Sequence, residues 1–226
     1  MKQTELVVML THHDKTIENA VSIFDECKNS SATIWGMKEV GLPIDTMIEL
    51  FSFMKSCGKK TVLEIVEYEK DACLKHLDLV KKCGCDILMG TYFFDEINDF
   101  CKENNIKYMP FVGNINYRPS ILSGEIDDMI TQAQSYIDKG AYGIDLLCYR
   151  YDKNPDELLE KFVQNVQAPV CIAGSINSYE RLDKLSAVAP WGFTMGSALF
   201  DNEFGESIVE QIEKVHAYMH AGNKYA

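Results

Sequence analysis

Two stretches decide how this chain folds: Pro169-Val-Cys-Ile-Ala-Gly-Ser-Ile-Asn177 and Trp191-Gly-Phe-Thr-Met-Gly-Ser-Ala-Leu-Phe200. Each is a short apolar run closed by Gly-Ser, at Gly174-Ser175 and at Gly196-Ser197, and each runs on into a helix-like segment. A single Gly-Ser is punctuation between strand and helix. Two of them at the ends of consecutive strands set bare backbone N–H groups side by side, and with helix N-termini behind them such groups hold an anion. The pattern therefore predicts an anion site built from Gly174, Ser175, Gly196 and Ser197.

Working back toward the N-terminus, the same unit recurs. Short apolar runs at 5–10, 32–35, 61–66, 86–89, 108–112 and 142–147 read as strands, followed by those at 170–173 and 193–195. Between them, apolar spacing of three and four residues predicts helices at 16–28, 47–54, 71–83, 93–103, 126–139, from Pro155, at 178–185 and at 204–219. Pro155 suits a first helical turn and Ser178 a helix cap, whereas Pro110 weakens the fifth strand and 114–124 is the longest loop. The strands do not alternate in polarity, as expected of parallel strands buried on both faces. Eight strand–helix units in one compact chain imply an α/β fold, a closed eight-stranded parallel (β/α)8 or TIM barrel. An open doubly wound sheet is the alternative. No Gly-x-Gly-x-x-Gly follows the first strand, where a dinucleotide-binding version would need it. No linker or biased segment divides the chain, so 1–226 is read as one domain.

The net charge of −12 over 226 residues disfavours nucleic acid and anionic membranes as partners. Any anionic ligand must be held locally against that field. No apolar run is long enough to cross a bilayer, and Met1-Lys-Gln-Thr-Glu5 leads directly into a strand, so a cytoplasmic location without a signal peptide is expected. The eight cysteines then read as reduced thiols. Cys83-Gly84-Cys85 is too tight for zinc and has no second ligand pair, so neither a metal nor a cofactor is expected. The aromatic and Met-rich helix faces are read first as core, with subunit contact and a homo-oligomer as the alternative.

In such a barrel, chemistry comes from the C-terminal ends of the strands. Glu64 interrupts the apolar run Val62-Leu63-Glu64-Ile65-Val66, and burial would raise its pKa toward the range of a general acid or base. Asp145 holds the same place in the sixth strand. Two carboxyls in different surroundings divide acid and base roles, and the competing reading for both is a structural charge, for Glu64 an ion pair with Lys38. Lys38, just past the second strand, balances those acids, holds a carbonyl oxygen or forms a Schiff base. Of His12 and His13 after the first strand, adjacent in sequence and opposite in direction, only one suits the pocket, and His13 is taken as the candidate proton shuttle. Arg150 is a candidate clamp for a phosphate or carboxylate, and Asn114 for sugar hydroxyls. Glu67 is expected on an exposed loop.

The segments Ala173-Gly174-Ser175-Ile176 and Met195-Gly196-Ser197-Ala198-Leu199-Phe200 resemble the phosphate-binding half of the ribulose-phosphate-binding barrels. That superfamily includes the histidine-biosynthesis isomerase and cyclase barrels, ribulose-phosphate 3-epimerase, the keto-gulonate-phosphate decarboxylases and the tryptophan-pathway barrels. The resemblance implies that the two loops, with a short helix after the eighth strand, hold a substrate phosphate. It does not name a reaction. The epimerase's His-x-Asp is replaced here by Ala32-Thr-Ile-Trp-Gly-Met-Lys38, the decarboxylase's Asp-x-Lys by Glu64-Ile-Val-Glu67, and the sixth strand lacks the lysine of the sugar-acid aldolases. The leading expectation is an isomerase, epimerase or decarboxylase that moves a proton next to the carbonyl of a small phosphorylated sugar or related metabolite. The alternatives are a Schiff-base aldolase using Lys38 and a barrel that binds a phosphorylated ligand without catalysis.

Overall fold

The computed structural model describes residues 4–117 and 119–220. Eight strands form one parallel sheet: β1 (Glu5–Met9), β2 (Ile34–Lys38), β3 (Lys60–Ile65), β4 (Ile87–Gly90), β5 (Lys107–Met109), β6 (Ile144–Leu146), β7 (Val170–Ile172) and β8 (Gly192–Met195). Their spatial order is β6-β7-β8-β1-β2-β3-β4-β5. The two ends of that row meet through a parallel bridge between Phe111 and Asp145, with Asp145 N–H donating to the Pro110 carbonyl at 3.0 Å. The ladder is thinnest at this seam because proline brings no N–H to it. The barrel expected from the alternating pattern is thus the one observed, with an uneven closure.

The helices that follow the strands cover the outside: α1 (Ala20–Cys27), α2 (Ile44–Ser56), α3 (Lys70–Lys75), α4 (Leu77–Cys83), α5 (Asp95–Glu103), α6 (Ile126–Asp138), α7 (Pro155–Asn165), α8 (Tyr179–Val188), α9 (Ser197–Phe200) and α10 (Ile208–His220). The helix expected over 71–83 is two pieces that break at His76, whose N–H turns back to Cys73 O at 3.1 Å. Pro155 opens α7 behind an Asn154 cap, and Ser178 Oγ accepts from Arg181 N–H at the start of α8, both as expected. All eight cysteines are free thiols, seven of them buried. Among the described residues no helix is long and apolar enough to cross a membrane.

Two apolar compartments result. The larger packs the outer faces of the strands against the helices, around Trp35, Phe24, Phe51 and Phe162. The smaller fills the barrel with Val7, Met9, Ile34, Val62, Ile87, Met89, Met109 and Cys171. Successive strand residues point to opposite faces, so this inward set fixes the direction of the others. Lys38 follows Ile34 by four positions, Glu64 follows Val62 by two, and Asp145 pairs in register with Cys171. All three therefore point inward at the C-terminal end. Lys38 is the last residue of β2, opposite Glu64 in the β2–β3 ladder, and not a loop residue as the sequence suggested.

Two hairpins stand on that end. Thr11–His12 pairs with Lys15–Thr16, and Asn114–Asn116 pairs with Ile121–Ser123 across what the sequence predicted as loop. Buried Ile115 and Leu122 anchor the second hairpin.

Gly36 faces the filled barrel, and a Cβ there would lie 2.7 Å from Met9 Sδ and 2.9 Å from Val62 Cβ. Gly36→Val therefore overpacks the interior and is expected to cost about 1–3 kcal/mol. Urea unfolding would show this as a lowered midpoint with an unchanged slope.

Candidate functional site

A cavity of about 220 Å³ opens at the C-terminal end of the barrel. The two Gly-Ser loops form one wall: Gly174, Ser175, Ile176 and Asn177 after β7, and Gly196, Ser197 and Ala198 after β8. Gly174 has φ +84°, and a Cβ there would press within 2.8 Å of Arg150 Cγ, so the arginine lies across the loop. Ser175 follows at φ +53°, a left-handed conformation that turns the loop outward. Arg181 holds this turn from outside: it donates to Ser175 O and, at 2.8 Å, to Asn177 Oδ1, and its guanidinium lies 4.7 Å from the centre of the Tyr149 ring. Among the described residues no backbone carbonyl accepts from Gly174 or Ser175 N–H. Ser197 and Ala198 stand in the first turn of α9, where helix geometry leaves N–H groups unpaired.

Facing these loops is a line of charge. Lys38 Nζ lies 2.5 Å from Asp14 Oδ1 and 3.8 Å from Glu64 Oε1, and all three side chains are largely buried. Burial by itself would lower the lysine's pKa; Glu64 and Asp14 outweigh it and hold it above the ordinary value, so Lys38 is a cation. Asp145 lies beneath the cavity, not on its wall, and is 1% exposed. Desolvation first and the neighbouring Glu64 second push its pKa well above the usual carboxylate range, against the opposing pull of Lys38 and the Gly90 N–H. Its Oδ1 has no hydrogen-bond partner among the described residues. Asp145 is thus set behind Glu64, where burial favours its protonated form.

The remaining candidates divide. Arg150 lines the cavity with the four Gly-Ser residues, Glu64 and Lys38. His13 and Asn114 do not. The two-residue turn His13-Asp14 has positive φ at both positions, and it sends His13 to solvent while Asp14 lines the cavity. His12 leans away to Phe200 and Asp201, with Nε2 3.0 Å from Asp201 Oδ1. Asn114 is exposed on its hairpin, and Ser120 from that hairpin reaches the cavity instead. Glu67 is half-buried, not exposed as the loop reading had it.

Sequence reasoning missed Asp14, Thr11, Asp201 and Glu203, all on the cavity wall. Asp14 was recoverable, since two polar residues between strand-like pairs suit a tight hairpin turn. With Asp14, Glu64, Asp201 and Glu203 against Lys38 and Arg150, the wall carries more acid than base. Among the described residues no group of three His, Cys, Asp or Glu side chains has metal-binding geometry.

No protein-family profile and no curated protein sequence matches the chain. Solved structures do. N-(5'-phosphoribosyl)anthranilate isomerase from Pyrococcus furiosus is 12% identical, with a TM-score of 0.67 over 96% of this chain and 99% of that one. N-acetylmannosamine-6-phosphate 2-epimerase from Clostridium perfringens is 15% identical, with a TM-score of 0.64 over 87% and 88%. A 4-hydroxy-2-oxoglutarate aldolase from TTHB1 is 13% identical, with a TM-score of 0.67 over 96% of each chain. These neighbours are barrels of the ribulose-phosphate-binding superfamily, and at such identity the likeness establishes the fold alone.

The Asp145 carboxyl makes stability depend on pH. Its folded pKa lies above its unfolded one, so between the two the folded state binds the extra proton and stability falls as pH rises. Asp145→Asn removes this ionisation. Relative to the parent, the variant's urea midpoint is expected to improve between pH 4 and pH 8.

Proposed function

We propose that this protein is an enzyme that transfers a proton next to the carbonyl of a small phosphorylated sugar or related metabolite, as an isomerase, epimerase or decarboxylase. One observation carries the reading. A single cavity has unpaired backbone donors and Arg150 on one wall and the Lys38–Glu64 pair on the other. The structural neighbours named for phosphorylated sugar substrates support the substrate class. The Gly174-Ser175 and Gly196-Ser197 loops hold the phosphate, and Arg150 closes over it. Anchored there, the substrate extends its carbonyl toward Lys38, whose ammonium stabilises the developing enolate oxygen. Glu64 takes the proton from the adjacent carbon. Asp145 lies behind Glu64 as a second carboxyl, its pKa raised by burial and by the neighbouring Glu64.

The cationic state of Lys38 weighs against the Schiff-base alternative, which needs the free amine. The barrel that binds without turnover remains the contrast case for the assay.

The test is a panel of aldose and ketose phosphates screened by thermal shift and then assayed for turnover. The parent protein is expected to be stabilised by at least one of them and to convert it. Glu64→Gln should keep the thermal shift and lose about 10²–10⁴ in turnover. Ser197→Asp, which suits a helix start but sets a negative charge among the donors, should lose the shift. Full turnover by the Glu64 variant would remove that residue from the chemistry. Binding without turnover across the panel would favour the non-catalytic barrel.

A further inference from the structure

The hairpin after β1 has more order than a connection requires. Thr11 pairs with Thr16 and His12 with Lys15, so His13-Asp14 forms the whole turn, with φ of +47° and +67°. Such a turn matches the twist of its strands and is ordinarily made by Asn, Asp or Gly, with Gly the least strained. The hairpin is also fastened to β2. Thr16 Oγ1 accepts from Lys38 N–H at 3.0 Å and donates to Lys38 O at 2.8 Å, and Thr16 N–H donates to Val40 O at 2.9 Å. The residue that carries the ammonium is thus clamped by its backbone to the same hairpin whose tip meets its side chain. A histidine and an aspartate held in left-handed backbone cost energy that other turn residues would save. What the aspartate gains is the 2.5 Å contact with Lys38 Nζ.

We infer that Asp14 is the positioning residue for Lys38: it aims the ammonium across the cavity beside Glu64 and keeps it a cation. The inference rests on the proposed role of Lys38 for its catalytic meaning, but not for its physical content. The titratable and charged groups around the ammonium are Asp14 from the hairpin, Glu64 from β3, Asp145 and Arg150 from β6 and the turn after it, and Glu39 just past its own strand. Among the described residues only Asp14 touches it at hydrogen-bond distance, while Glu64 stands 3.8 Å away. Without Asp14, the lysine faces burial and Arg150 with Glu64 as its remaining near partner.

The experiment titrates the Lys38 Nζ resonance directly in protein labelled with ¹³C,¹⁵N-lysine, with no substrate present. Lys38→Arg, which deletes the signal, assigns it. Asp14→Asn keeps the size of the side chain, and asparagine accepts a left-handed backbone, so the hairpin is retained. In this variant the midpoint is expected to fall by about one unit or more, the usual effect of an opposite charge at this range. Asp14→Glu keeps the charge and should stay near the parent midpoint. An unchanged midpoint in Asp14→Asn overturns the inference, and so does an equal fall in both variants, which would trace the effect to turn geometry. Failure to find any phosphosugar substrate would count against the proposed function and leave this measurement intact.

Discussion

A cation and three carboxyls sit inside or at the mouth of a barrel whose lower part is filled with apolar side chains. Everything around them follows from the cost of that placement. An isolated charge in such surroundings is far more expensive than the whole margin by which a domain is stable. The cost is met by proximity. Lys38 is bonded to Asp14 and lies close to Glu64, and burial raises the pKa of Asp145, the deepest, favouring its uncharged form. A parallel ladder that sets Lys38 and Glu64 at matched positions, and a hairpin that delivers Asp14 to the same point, are the geometric conditions for burying the group at all.

The wall formed by the two Gly-Ser loops obeys the opposite economy. The protein is strongly acidic, and most of the charged side chains on the cavity wall are carboxylates. Under the proposed function, the favourable potential for a phosphate is that of backbone dipoles on two short loops and of one arginine laid over Gly174. Because peptide dipoles act over short range, such a site ignores the net charge of the surface and selects only what can approach the chain closely. Gly174 and the tight turn at Ser175 secure that approach, and Arg181 secures the turn.

The barrel was legible in the sequence because its strands are apolar on both faces and its helices keep a clear period. The direction of Glu64 and Asp145 was legible for a related reason: a carboxyl inside an apolar strand has nowhere to go but the interior. The two hairpins were not. Thr11–Thr16 and 114–123 are held by backbone ladders and by a few buried residues such as Ile115, and polar composition hid both. The errors on Lys38, His13 and Asn114 share that origin. Each concerns where a strand ends and a turn begins, which depends on tertiary pairing and not on local preference. Asp201 and Glu203 were missed because they follow a four-residue helix too short to leave a period.

The seam at Pro110 has a consequence for how this barrel breathes. Between β5 and β6 the wall is joined by one bridge and few hydrogen bonds, and Asp145 lies on that bridge. A cylinder with one weak joint opens there first, as local openings take the cheapest route. Water entering at the joint would meet the Asp145 carboxyl, which the closed wall otherwise keeps from solvent.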